Sequence, residues 1–145
     1  MASGIYDVFK EDMMDGSINI DTGGDTIKIA LMDNSHPTAS GDLQSDATWA
    51  DVSANEIDNT SGSSYTEGGG ETLAGQVVAV SSGTASFDAT DQQWTSATFS
   101  AWHAVLYDTT NADSLICTID LGGEQTVSAG TFTIQWNASG IITLS

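Results

Sequence analysis

Apolar and polar residues alternate along most of this chain with a period of two, the spacing of half-buried strands. The exception is the start. Ile5, Val8, Phe9 and Met13 recur at three- and four-residue intervals, while Glu11, Asp12 and Asp15 make the opposite side polar. A short helix over residues 1–15 is predicted, capped by Ser3 and ended by Gly16. Residues 17–20 and 26–33 read as a hairpin around Asp21-Thr22-Gly23-Gly24-Asp25, where glycines permit positive φ and Asp side chains close turns. In its second arm Ile27, Ile29 and Leu31 alternate with Lys28, Ala30 and Met32. Residues 33–51 read as a loop that contains the single proline, Pro37, with Trp49 pinning it to the body. A short strand over 52–57 follows. Residues 59–71 carry Tyr65 and Gly68-Gly69-Gly70, and read as either a flexible surface loop or one held in unusual backbone angles.

Strand signals then succeed one another. Residues 76–82 turn at Gly83 into 85–89, and Trp94 precedes the strongest run, 97–107. There Phe99, Ala101, His103, Val105 and Tyr107 are expected on one face, with Trp102, Ala104 and Leu106 on the other. Residues 115–121, 131–136 and 141–144 complete the set, punctuated by Gly122-Gly123, Gly130 and Ser139-Gly140. Strands at roughly 8–12-residue intervals with Gly, Asn or Asp turns indicate a sandwich or barrel. The expected fold class is all-β: an antiparallel β-sandwich, jelly-roll-like or immunoglobulin-like, with a short N-terminal helix. Its 145 residues fit a single domain, 1–145, made of a helical arm over 1–16 and a sandwich over 17–145.

Charge narrows the function. Lys10 and Lys28 face twenty Asp and Glu, arginine is missing, and the formal net charge is -18. Nucleic-acid binding needs cations to displace counterions from phosphates, anionic lipid surfaces need the same, and nucleotide phosphate chemistry leans on Arg or Lys. The expectation is no nucleic-acid partner and no membrane partner. No apolar run approaches the roughly 20 residues that span a bilayer, and the N-terminus lacks a signal peptide's basic-then-apolar layout. Synthesis and folding in a cytoplasm are therefore expected. The lone Cys117 sits in an apolar run and reads as a buried thiol.

Catalytic patterns are weak. Asp21-Thr22-Gly23 matches the aspartic-protease tripeptide, but a half-size protease also needs a later bracing strand and helix for its paired Asp. The candidate strand, Gly140-Ile141-Ile142, ends too near residue 145. There is no Gly-x-Ser-x-Gly elbow, and His36, His103 and Cys117 lack zinc-ligand spacing. The expectation is no enzyme and no cofactor. The acidic loops 21–25, 42–51 and 108–113 offer hard oxygen ligands, which makes a structural calcium ion the alternative. Trp94, Trp102 and Trp136 read as core residues, whereas Tyr65 and Trp49 are the better candidates for contact with a sugar.

One resemblance covers nearly the whole chain. It is carried by Tyr6-Asp7-Val8-Phe9-Lys10-Glu11-Asp12-Met13-Met14, Asp25-Thr26-Ile27-Lys28-Ile29-Ala30-Leu31-Met32, Ser64-Tyr65-Thr66-Glu67-Gly68-Gly69 and Phe87-Asp88-Ala89. Ala104-Val105-Leu106-Tyr107, Ile119-Asp120-Leu121-Gly122 and Gly130-Thr131-Phe132-Thr133-Ile134-Gln135-Trp136 continue it in order. In these pieces the chain resembles small virion structural proteins of tailed bacteriophages, particularly marine and cyanobacterial ones. The resemblance implies a non-catalytic particle component, assembled in the host cytoplasm and located in the virion. Its expected role is a capsid decoration or cement protein, with the major capsid protein as partner and a homo-oligomer, dimer or trimer, as the working unit. A carbohydrate-binding adhesin module and a head–tail connector or tail component are the alternatives. The expected partner contact is the N-terminal helix and first hairpin, through Ile5, Tyr6, Val8, Phe9, Met13, Met14 and Lys28.

Overall fold

The structure, a computed structural model, describes residues 3–58 and 64–145. Its strands are β1 (Gly4–Ile5), β2 (Ile27–Met32), β3 (Glu71–Thr72), β4 (Val77–Ser81), β5 (Thr84–Asp88), β6 (Gln92–Asp108), β7 (Ser114–Ile134) and β8 (Ile142–Leu144). The helices are α1 (Asp7–Asp15), α2 (Ser40–Ser45) and α3 (Trp49–Val52), with a 3-10 turn over Ser53–Asn55. Two antiparallel sheets result, one of order β1-β7-β6-β2-β3 and one of order β4-β5-β8. The all-β sandwich-like class expected from the alternation is what the chain forms.

Several local expectations need correction: the loop expected over 33–51 contains α2 and the start of α3, and the strands expected at 115–121 and 131–136 are one strand, β7. The helix begins at Asp7, because Gly4 and Ile5 pair with Thr118 and Cys117 as an edge strand, and the Tyr6 N–H donates to Ile116 O. Ser3 therefore does not cap it; its hydroxyl accepts the Asp120 N–H at 2.9 Å. Gly16 ends the helix as foreseen, at φ 80° with its N–H on Asp12 O. Residues 17–33 form no hairpin: β2 is claimed on one side by β6 and on the other by β3. In place of the strand expected at 52–57 stand the end of α3, the 3-10 turn and a single bridge from Glu56 to Met32.

The long hairpin β6–β7 runs through the five-stranded sheet and folds back on itself. Thr90 N–H bonds Ala74 O, Leu73 N–H bonds Ile27 O, and Ile27 pairs with Asp108. The start of β6 is thus three hydrogen-bonded steps from its end, although 17 extended residues would span about 56 Å. The strand has to fold back. The corner is a bulge: Ala101 pairs with Gln125 and the next partners are His103 and Asp120, so β7 carries the surplus residues. Gly122 and Gly123 supply it, at φ 81° and 110°.

That bulge also breaks the alternation. Phe99 and Ala101 share one core cluster with Ala104 and Leu106, while Val105 and Tyr107 belong to another. The larger cluster lies within the fold-back, with Phe9, Ile29, Leu31, Tyr65, Phe87 and Trp94. The smaller, on the other face of β2 and β6, holds Tyr6, Met32, Val52 and Leu115, and is covered by Val8, Leu43 and Trp49. Trp49 stacks on Tyr107 at 4.8 Å between ring centroids, so it does pin its loop.

Candidate functional site

The Gly-rich segment is a built structure rather than a free surface loop. Glu56 accepts the Tyr65 hydroxyl at 2.6 Å on Oε1 and the Gly68 N–H at 2.9 Å on Oε2, and the Gly69 N–H also reaches it. Tyr65 Oη accepts the Leu31 N–H of β2 at 3.0 Å, and the Tyr107 hydroxyl donates to Gly69 O at 2.7 Å. Tyr65 is 1% exposed, and its burial beside the Glu56 carboxylate drives the phenol far above its ordinary range. It cannot be the external sugar contact that its loop position suggested. Residues 59–63 of that expected loop lie outside the described residues.

The two histidines are interior groups. Their ring centroids are 5.5 Å apart; His36 Nε2 shares a hydrogen bond with Thr118 Oγ1 at 3.0 Å, and His103 Nδ1 donates to Asp33 O at 3.3 Å. Burial first, and the adjoining His103 ring second, lower the His36 pKa from 6.5 to about 4. Above pH 6.5 the ring is neutral folded or unfolded; below it, only the unfolded chain gains the proton. Stability held by a neutral His36 is expected to fall from pH 6.5 to 4 by about 3 kcal/mol. The check is the difference in unfolding free energy between wild type and His36→Gln across that range, since the glutamine cannot titrate. A constant difference would refute this account. Cys117 is buried and its thiol is pushed up to about 12, which fits an inert core residue.

The acidic loops turn carboxylate oxygens onto backbone N–H groups, mostly their own and in one case that of β4. Asp21 Oδ1 accepts the N–H groups of Thr22 and Val78, Asp51 Oδ2 those of Ala47 and Thr48, and Asp108 Oδ1 those of Thr110 and Asn111. Among the described residues, no group of three or more His, Cys, Asp or Glu is placed to hold a metal ion.

Of the contact residues expected on the N-terminal arm, Tyr6 and Phe9 are fully buried, because α1 sits at the sheet edge and feeds both core clusters. Ile5 and Val8 pack partly against the same clusters, and Lys28 is half-buried in β2. Met13 and Met14 remain on the surface, Met14 at 91% exposure.

A larger apolar surface lies where no contact was expected. Cross-strand partners share a face of a sheet. In the β4-β5-β8 sheet one such row is Val78, Phe87 and Ile142, and the next is Val80, Ala85 and Leu144. Phe87 anchors the first row in the core. The second overhangs it, with Val80 73% and Leu144 66% exposed. At the start of the β4 edge, Asp21 takes the Val78 N–H and Thr22 Oγ1 donates to Gln76 O, which caps part of that edge. A sequence signal existed: residues 76–87 and 125–145 carry no charged side chain in a chain of net charge -18.

Beside β8 runs a groove of about 630 Å³, bounded by β1, residues 117–121, residues 132–137 and residues 140–143. It is the mouth left where the two ends of β7 face each other across the fold-back. Trp136 lines it; Tyr65 and Trp49 do not. No family model, curated protein or solved structure matches the chain.

Proposed function

We propose that this chain is a structural protein of a tailed-bacteriophage virion, which decorates the head and cements neighbouring major capsid subunits. The observation that carries the reading is the unspent apolar surface on two separate elements, Met13 and Met14 on α1 and the overhanging Val80–Leu144 row. A cement protein needs two such patches, one for the shell and one for a neighbouring copy. Bound copies stabilise the shell by mass action, since they bind the assembled state and not its separated subunits. Dimer and trimer both satisfy the need for repeated contacts on a symmetric surface.

Shells carrying the wild-type protein are expected to withstand higher temperatures than bare shells. The Val80→Asp/Leu144→Asp double variant, which alters exposed side chains only, should fold normally and lose much of that protection, because each aspartate brings a charge into an apolar contact. Equal heat resistance of bare and decorated shells, followed by light scattering, sinks the cement role. A neck or tail position would instead show as about six or twelve copies per particle rather than hundreds.

A further inference from the structure

We propose that the groove at the mouth of the fold-back binds a neutral saccharide. The inference is independent of the decoration reading and concerns a different surface. A volume of about 630 Å³ is within the range of sites that take small ligands. Its charge is the first discriminator. Asp120 is the one acidic side chain among the lining residues, and no Lys or Arg lines the groove among the described residues. Phosphorylated, sulfated or sialylated ligands would enter an anionic chain without a counter-charge.

The remaining chemistry suits a polyhydroxylated ring. Trp136 offers an aromatic side chain next to neutral hydrogen-bonding groups, chiefly Gln125, Asn137 and Thr143. Sugars present apolar C–H faces and hydroxyl edges, so they need both surfaces at once. The groups are held in advance. Trp136 is fixed twice, by its backbone N–H on Asp91 Oδ1 at 2.9 Å and its indole Nε1–H on Thr90 O at 3.0 Å. Gln125 Nε2 donates to Leu121 O, which leaves Oε1 to accept. Asn137 Oδ1 takes the Ser139 N–H, which leaves Nδ2 to donate. Asp120 Oδ1 takes the Gly122 N–H, and Oδ2 remains for a vicinal hydroxyl. Asp120 and Gln125 lie on β7, and Trp136 and Asn137 just beyond its end, each held by its own hydrogen bond; donors and acceptors fixed in advance lower the ordering cost of binding.

The test is titration of the whole protein with malto-, cello-, xylo- and chito-hexaose, read by calorimetry and tryptophan emission, beside a sialylated glycan and a lysine-rich peptide. At least one neutral hexaose should bind and the sialylated glycan should not. Asn137→Ala and Gln125→Ala should each weaken binding about tenfold, which is 1.4 kcal/mol, in a protein that still folds and melts cooperatively after losing one internal hydrogen bond. Trp136→Phe should keep more affinity than Trp136→Ala. Silence toward every neutral hexaose, preference for the lysine-rich peptide, or affinity indifferent to Asn137 and Gln125 overturns the proposal. Shell binding by Asn137→Ala should persist, so failure here and failure of the decoration reading are separable.

Discussion

Gly70→Ala is expected to destabilise the protein by more than about 4 kcal/mol, or to prevent folding outright. A Cβ there would stand 2.0 Å from Ile29 O and 2.7 Å from Ala30 Cα, both backbone atoms of β2, which is paired on both sides, at φ +70°. Neither can yield without breaking the β2 ladder. Moving the loop instead would detach Gly69 from Tyr107 and Glu56. Gly68 is the internal control. Its φ is +100°, yet nothing lies within 4 Å of its Cβ position. Gly68→Ala should show the backbone strain alone, about 1–3 kcal/mol. Thermal melts of the two variants should therefore separate by several degrees. Equal losses would mean that φ, and not the close approach to β2, sets the requirement for glycine.

Glu56→Ala should be the next most damaging change, at about 3–4 kcal/mol. The carboxylate receives one hydroxyl and two N–H groups, and Tyr65, the hydroxyl's owner, is buried. Removing it takes that acceptor from the Tyr65 hydroxyl and cuts the loop from the 3-10 turn before Glu56. Glu56→Gln should fall between, because one oxygen can still take the Tyr65 proton while its amide NH₂ opposes the glycine N–H groups. Denaturant unfolding should rank wild type above the glutamine variant and that above the alanine. An alanine variant within about 1 kcal/mol of wild type would refute the anchoring role.

Element type was legible wherever the signal was local. Period-two alternation gave β2, β4, β5, β6 and β8 within a few residues, and Gly16 marked the end of α1. Pairing was not legible, since it depends on chain segments far away. Nothing near residue 18 says that β2 will be flanked by β3 and β6 instead of its sequence neighbour. Nor does Gly122-Gly123 announce a bulge in place of a turn, although that bulge decides which side Val105 and Tyr107 face. Tyr65 misled for the same reason: its partners are a carboxylate nine residues earlier and an amide of β2. On α1, spacing identified the apolar residues correctly but could not reveal that two core clusters would take them. The Val80–Leu144 row needed the register of three strands before its overhang could be seen.

The placement of β2 between β3 and β6 has a consequence for synthesis. Ile27–Met32 leaves the ribosome long before Asp108, the last residue of the strand that pairs with it along its full length. During that interval a nearly continuous apolar segment has no cover and is open to pairing with other nascent chains. Fourteen of the twenty acidic residues lie in the first 71 positions, the part that has to wait. Mutual repulsion among unfinished chains protects such a segment before any fold exists. The anionic bias thus serves the chain in time as well as in place, guarding the polypeptide until its second half arrives.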